Sequence, residues 1–409
     1  MAGQYIDMKA GDGSGSFRGY LALPAGGSGP GLVLAQEIFG INSTMRDVAD
    51  YYAEEGYVVL VPDIFWRQEP NVELGYTEAD WQRAFGYFQG FDEAKGMQDI
   101  QTAITTLRAR AEVTGKVGVL GFCLGGKLAY LAACRTDADV AVGYYGVGID
   151  AALGEADSIK SPLVLHIAEL DKFCPPEARD KIVQTLKGRP NIALHVYPGM
   201  DHAFARLGGE HYDKASALMA HERTIGALKA AMGPHYDLSA LWDKHCEYEF
   251  GTRNVDDTMS TMVAEPYVNH IPTMTGGVGY KQLHHFYSDH FVNSNPPDTA
   301  LTPISRTVGA TQVVDEMLFT FTHTTEIPWM LPGMAPTGKR VEVPLLAVIK
   351  FRGNKLYHEH IYWDQASVLV QVGLLDPKLL PVAGVETARK LLDETLPSNA
   401  LMPGWKDVA

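Results

Sequence analysis

The chain has 409 residues, more than one ordinary core accommodates, so two domains are expected. Its net charge of −15 comes without any run of Lys or Arg, which argues against a nucleic-acid partner and an anionic membrane surface. The four cysteines form no C-x-x-C pair, so neither a disulfide framework nor a zinc knuckle is predicted. Without a signal-peptide pattern or a stretch of about 18 apolar residues, a cytoplasmic protein is expected.

Strands and helices alternate along the first 232 residues. The predicted strands are 31–36, 57–61, 116–122, 140–145, 163–167 and 193–197, and the predicted helices are 48–54, 99–110, 127–133 and 212–232. This order is typical of an α/β fold, with a mostly parallel, doubly wound sheet covered by helices on both faces. Gly233-Pro234 is a natural boundary, which predicts domains at 1–233 and 234–409.

The second half has a different pattern, with helical segments first and β-rich segments after them. The helical patterns are 239–250 and 256–262, and the β-rich segments are 311–323, 341–352 and 355–363. This order predicts an α+β domain. Alternation along 355–363 predicts two opposite faces, one with Leu356, His358, His360 and Tyr362 and the other with Tyr357, Glu359, Ile361 and Trp363.

The strongest local motif is GFCLGG at 121–126, which follows an apolar strand and opens a helix. It matches the nucleophile elbow, G-x-nucleophile-x-G, with Cys123 in the nucleophile position. The tight turn requires glycines, and the helix N-terminus favours a thiolate. The N–H of Leu124 is a candidate oxyanion donor. The alternative is a buried cysteine in a glycine-rich turn.

Two further residues complete a candidate triad in the chain order nucleophile, acid, histidine. Asp171 follows the predicted strand 163–167, and His202 follows the strand 193–197, so both lie at the sheet edge that carries Cys123. Asp171 would hold the imidazole tautomer and His202 would transfer the proton. Taken singly, Asp171 could be a helix cap and His202 an ordinary loop histidine.

Two loops at the same edge offer supporting groups. Ile38, after the first core strand, is in the position that supplies the second oxyanion N–H. Glu37 beside it would disfavour a thiolate and could regulate the thiol, or it could be a surface carboxylate. Arg206 could bind a substrate carboxylate through two hydrogen bonds, or form a solvent-facing ion pair.

Five segments within residues 5–232 carry a family resemblance: QEIFG, GFCLGGK, AVGYYGVGI, the ELD with Asp171 and the DHAFAR with His202. Together they resemble the dienelactone hydrolase (carboxymethylenebutenolidase) family. The resemblance implies an enzyme that opens a lactone or ester of a small carboxylated substrate through a Cys-His-Asp triad, without a metal or organic cofactor. It implies that Glu37 contacts the resting thiol and that Arg206 binds the substrate carboxylate. Tyr144 and Phe39 match substrate-pocket positions.

The sequence also departs from that family. The second carboxylate-binding arginine of the family falls near Trp81-Gln82-Arg83, where either Trp81 or Arg83 could occupy the position. Ala203 stands where a serine usually follows the catalytic histidine. These departures preserve the chemistry but weaken dienelactone itself as the expected substrate.

Residues 236–376 resemble the SnoaL-like polyketide-cyclase group, an α+β cone, mainly through EHIYWDQ at 359–365. The candidate polar groups of a pocket there are His270, His323, His358, His360 and Asp364. This half could isomerise, cyclise or hydrate a related substrate, or it could be a binding module or homodimer interface. A redox sensor built on Cys123 is a further alternative, disfavoured because no resolving cysteine is adjacent.

Overall fold

The computed structural model describes residues 3–406, and the chain divides into two units, residues 1–235 and 236–409. The predicted domains, 1–233 and 234–409, also include residues 1–2 and 407–409, which lie outside the described residues. In the described part of the chain, no helix combines the length and apolar composition needed to cross a membrane.

Eight strands form the sheet of the first unit, in the order β1-β2-β4-β3-β5-β6-β7-β8. They are β1 (Gln4–Lys9), β2 (Ser16–Ala22), β3 (Gly29–Ala35), β4 (Val58–Pro62), β5 (Val113–Phe122), β6 (Ala141–Tyr144), β7 (Leu163–Ala168) and β8 (Ile192–Tyr197). The pairs β1–β2 and β2–β4 are antiparallel, and the pairs from β4–β3 to β7–β8 are parallel. The predicted mostly parallel α/β sheet is confirmed.

Helices cover this sheet. They are α1 (Ser43–Glu54), α2 (Glu78–Gln89), α3 (Glu93–Arg108), α4 (Leu124–Arg135), α5 (Pro176–Leu186) and α6 (Lys214–Met232), with a 3-10 helix at Ile149–Ser158. Side-chain caps set several starts: Asn42 accepts from the Met45 N–H at α1, and Asp213 accepts from the Ser216 N–H at α6. These caps extend α1 beyond the predicted 48–54, because the helix begins at its capping residue rather than at its first apolar one.

Helix α2 has no counterpart among the predicted elements. It begins at a capping box in which Thr77 and Asp80 bond each other's backbone N–H groups. Of its residues only Ala84 is buried, but Trp81, Ala84 and Phe88 recur at helical spacing, a pattern that the predicted elements left out. Its half-buried aromatic side chains Trp81 and Phe88 pack against the core.

Six strands form the sheet of the second unit, in the order β10-β9-β14-β13-β12-β11. They are β9 (Met262–His270), β10 (Thr275–Val278), β11 (Ala300–Val308), β12 (Gln312–Thr322), β13 (Arg340–Arg352) and β14 (Lys355–Trp363). The helices are α7 (Leu238–Cys246), α8 (Val255–Ser260), α9 (Gly279–Phe286), α10 (Gln365–Gln371) and α11 (Glu386–Leu392). Two π-helical turns, Glu247–Gly251 and Tyr287–Phe291, and a 3-10 helix, Pro377–Leu379, complete this α+β unit.

Strand β14 follows its predicted alternation over most of its length. Glu359, Ile361 and Trp363 are buried, while Tyr362 on the other face is exposed. Leu356 is buried as well, against the predicted pattern. The register with β13 shifts between Lys350 and Phe351, so a bulge in β14 reverses the alternation.

Candidate active site

Cys123 lies between the end of β5 and the start of α4, in a backbone conformation that side chains rarely adopt, with φ 57° and ψ −116°. A Cβ on Gly121 would lie 2.0 Å from the carbonyl oxygen of Gly125, and one on Gly125 would lie 2.1 Å from that of Ala35. The motif glycines are therefore required by close backbone approach. The turn presents the half-buried Cys123 at a helix N-terminus.

Asp171 and His202 come together from the loops after β7 and β8. The Nδ1 atom of His202 lies 2.7 Å from Oδ2 of Asp171, and both residues are buried. The other carboxylate oxygen accepts the Phe173 N–H at 2.8 Å. The rings of Tyr145 and Phe173 pack on the imidazole with centroids 5.1 and 4.9 Å away. The imidazole is therefore held in one orientation.

The electrostatic environment of His202 favours its charged form. Burial alone would lower the pKa of its imidazole, but the electrostatic effect of the neighbouring Cys123 sulfur and the hydrogen bonds to Asp171 and Cys123 outweigh burial and raise the pKa to about 10. Near neutral pH, His202 therefore carries the proton that a leaving group needs.

This environment predicts the titration of His202. The imidazole should stay protonated through neutral pH and lose its proton as the pH rises through about 10, because its pKa is raised above the ordinary 6.5. Replacing Cys123 by alanine removes the thiolate charge, so the midpoint should fall. Heteronuclear NMR of the histidine side chains measures both midpoints. His195, whose pKa is lowered by burial, is an internal control. A His202 midpoint at or below that of free histidine would contradict the assignment.

The two backbone N–H groups predicted to be oxyanion donors are those of Ile38 and Leu124. In residues 3–406, neither the Ile38 N–H nor the Leu124 N–H has a hydrogen-bond acceptor in the protein. The Gly125 N–H donates to the Gln36 carbonyl at 3.1 Å, which ties the loop after β3 to the elbow. The two loops that carry these donors are thus held together.

Glu37 and Arg206 form a buried ion pair. Nη1 of Arg206 lies 3.3 Å from Oε2 of Glu37, and the Tyr76 hydroxyl lies 3.4 Å from the same oxygen. The guanidinium also stacks over the Tyr76 ring at 4.3 Å. Its buried Nε has no acceptor within the described residues. Glu37 is therefore engaged by Tyr76 and Arg206, while Arg206 keeps one free donor.

A cavity of about 30 Å³ lies over Cys123 and His202. Apart from these two residues its walls are apolar, formed by Ile38, Trp81, Phe85, Phe88, Val147 and Phe173. Trp81 contacts the ring of Phe39 edge-on at 4.8 Å. A substrate group next to the Cys123 sulfur would therefore contact mainly aromatic side chains.

None of the four predicted substrate-binding residues lines this cavity; Arg206 is in the ion pair with Glu37, and the other three lie elsewhere. Arg83 is exposed and turned to Tyr87 and Glu69, at 3.2 and 3.6 Å, so Trp81 takes the wall position. Tyr144 points into the interior, where its hydroxyl bonds that of Thr224 at 2.6 Å. Phe39 lies behind Trp81 and is not part of the wall.

Tyr76, Tyr145 and Phe173 were not among the residues predicted from the sequence, whereas Trp81 was one of the two candidates for its position. Only Phe173 carried a usable signal, since it lies two residues after Asp171 in the same loop.

The candidate polar groups of the second unit are not gathered into one site. Asp364 caps α10 by accepting the Ser367 N–H, and His323 bonds Thr337. His270 lies among aromatic rings with its Nδ1 near the Thr275 carbonyl oxygen. The rings of His358 and His360 stack on each other at 4.4 Å.

Two features together define an α/β hydrolase. One is a mostly parallel sheet covered by helices, and the other is a strained residue at a strand–helix elbow that precedes an Asp–His pair in the chain. The chain belongs to the dienelactone hydrolase family, whose family model matches residues 17–232. The family model described as SnoaL-like domain matches residues 243–359. Both resemblances predicted from the sequence are confirmed. The prediction of an enzyme of the dienelactone hydrolase type is confirmed as well.

Relatives of the first unit include two bacterial proteins. A predicted carboxymethylenebutenolidase of Azospirillum brasilense is 47% identical over 231 residues, which cover 56% of this chain and 99% of the relative. A carboxymethylenebutenolidase of Pseudomonas sp. (strain P51) is 38% identical, covering 56% of this chain and 94% of the relative. Among solved structures, a predicted dienelactone hydrolase of Klebsiella pneumoniae has a TM-score of 0.49 at 23% identity, covering 56% of this chain and 98% of that one.

Proposed function

We propose that the first unit hydrolyses a lactone or ester, with Cys123 as nucleophile, His202 as acid and base, and Asp171 as the group that orients His202. The observation that carries the proposal is the strained Cys123 at the N-terminus of α4, next to a His202 that Asp171 binds at 2.7 Å. Strain of this kind persists where the surrounding structure imposes it, and it is concentrated at reactive residues.

The reaction would proceed in two steps. The Cys123 thiolate attacks the acyl carbon, and the resulting oxyanion accepts hydrogen bonds from the Ile38 and Leu124 N–H groups. The carbon–oxygen bond of the lactone or ester breaks, His202 protonates the leaving oxygen, and a thioester remains. His202 then takes a proton from water as the water attacks the thioester. The acid product leaves and the thiolate is restored.

The walls and charges suggest a small substrate with an apolar acyl part and one carboxylate. Trp81, Phe85 and Phe173 would pack on the acyl part, and Arg206, whose buried Nε has no acceptor within the described residues, would bind the carboxylate once the substrate reaches it. The relatives named carboxymethylenebutenolidase favour an enol-lactone. A hydrolysis screen of dienelactones, simple lactones and p-nitrophenyl esters tests the proposal, and absence of turnover on all three would overturn it.

Carboxylate recognition gives a separate prediction. Replacing Arg206 by methionine should raise KM for a carboxylated lactone about tenfold, since a charged hydrogen bond is lost, and should change KM for a neutral ester much less. Steady-state kinetics on the two substrates measure the difference. The matched control is Arg83→Met, because Arg83 is an exposed arginine that also pairs with a glutamate, Glu69. Equal effects of Arg206→Met on both substrates would contradict this role.

The role of the second unit in catalysis, and dimerisation through it, stay predictions.

A further inference from the structure

Four side chains of the second unit converge in its interior: His245, Glu249, Tyr287 and Glu359, called here the His245 cluster. His245 lies in the last turn of α7, Glu249 lies in the first π-helical turn, Tyr287 begins the second, and Glu359 lies on β14. All four are at most 3% exposed. Single π-helical turns are frequent at functional sites, and here two of them each supply one member.

The cluster brings two carboxylates to one imidazole nitrogen. Nε2 of His245 lies 3.1 Å from Oε1 of Glu249 and 3.0 Å from Oε1 of Glu359. One atom from each of the three residues lies within 4.8 Å of the others. Ligands about 2.1 Å from a shared metal ion lie roughly 3.0 to 3.4 Å apart in octahedral or tetrahedral geometry. The two measured separations fall in that range.

The opposite nitrogen of His245 shows which way the ring faces. Nδ1 lies 2.6 Å from the Thr261 hydroxyl oxygen, and that hydroxyl donates its own proton to the Thr258 carbonyl at 2.6 Å. The Thr261 oxygen must therefore accept from Nδ1–H. A ligating histidine is oriented in this way, with its second nitrogen bonded to a neighbouring oxygen so that the first one is free to bind.

Two carboxylates at one buried imidazole nitrogen need a further positive charge. A single proton on Nε2 can point well at only one of them, and an imidazolium with two ionised carboxylates leaves one negative charge buried, which either a proton on Glu249, whose pKa burial raises, or a bound cation would balance. The nearby guanidinium of Arg306 is already paired, at 2.7 Å each, with Asp243 and Asp315. A divalent cation would balance both carboxylates at once.

We propose that His245, Glu249 and Glu359 bind one divalent transition-metal ion in the second unit, with the Tyr287 hydroxyl beside it. One imidazole nitrogen and two carboxylate oxygens suit Zn²⁺ or Mn²⁺. The Tyr287 hydroxyl donates to Oε1 of Glu359 at 3.3 Å, which orients that carboxylate. Such an ion would connect α7, a π-helical turn and β14 at the centre of the unit.

The test uses the full chain, stripped with EDTA and dialysed. Titration with ZnCl₂ and separately with MnCl₂, followed by calorimetry and elemental analysis, should show one ion per chain. Glu359→Gln keeps the side-chain shape and removes its charge, so affinity should fall at least about tenfold. The matched control is His284→Gln, since the exposed His284 also pairs with a carboxylate, Asp256, at 3.2 Å.

The candidate active site offers a competing set of ligands, which Cys123→Ala removes. Loss of the ion in Cys123→Ala but not in Glu359→Gln would overturn the proposal, as would failure of both ions to bind the stripped chain. Should Glu359→Gln fail to fold, the visible spectrum of the Co²⁺-loaded wild-type chain decides. Bands of nitrogen and oxygen ligands alone support the His245 cluster, and a thiolate charge-transfer band overturns it.

Discussion

Replacing Cys123 by alanine should lower kcat/KM for p-nitrophenyl acetate and for a dienelactone by a factor of about 10⁴ or more. The proposed acyl-enzyme cannot form without the sulfur, so only the oxyanion donors and the walls would contribute to the remaining rate. The substitution removes one atom at a half-buried position, and circular dichroism should show an unchanged fold.

Cys134→Ala is the matched control for this experiment. Cys134 lies in α4, the same helix that Cys123 precedes, and burial raises the pKa of its thiol to about 11. It therefore stays a neutral thiol near neutral pH and a poor nucleophile. We expect wild-type rates from Cys134→Ala. Wild-type turnover by Cys123→Ala would remove the basis of the proposed mechanism.

Replacing Asp171 by asparagine should lower kcat on the order of 10³- to 10⁴-fold, with a smaller effect on KM. The buried carboxylate accepts from Nδ1 of His202, whereas an amide could turn its NH₂ to that nitrogen and favour the other tautomer. The pKa of His202 should also fall, because its hydrogen bond to Asp171 is one cause of the raised value.

Asp180→Asn is the control for the loss of one carboxylate charge from the first unit. Asp180 is an exposed partner of Arg179 on α5, and its loss should leave kcat within about twofold, as for most surface substitutions. If Asp171→Asn retained the kcat of the wild-type enzyme, the orienting role of Asp171 would be refuted.

The sequence predicted the sheet and the three proposed catalytic residues because each depends on local order. Cys123 is identified by glycines two residues away on either side, and Asp171 and His202 each follow an apolar strand. The carboxyl ends of neighbouring parallel strands meet at one edge, so sequence position implies spatial proximity.

Which of two neighbouring side chains faces the cavity could not be predicted, because this depends on rotation within an element. Trp81 and Arg83 are two residues apart on α2, which turns them about 200° away from each other. Tyr144 is the last residue of β6, whereas Tyr145 follows the strand with a positive φ of 37°, which strand alternation does not predict, and it is Tyr145 that packs on His202. The His245 cluster joins segments far apart in the chain, which no local pattern connects.

The size of the cavity over Cys123 has a consequence for turnover. Its volume of about 30 Å³ accommodates one or two water molecules, far less than a lactone ring. We therefore expect a bound lactone to displace Phe173 or the half-buried aromatic side chains of α2, a helix in which only Ala84 is buried. Where this displacement is slower than the chemistry, kcat should depend on solvent viscosity.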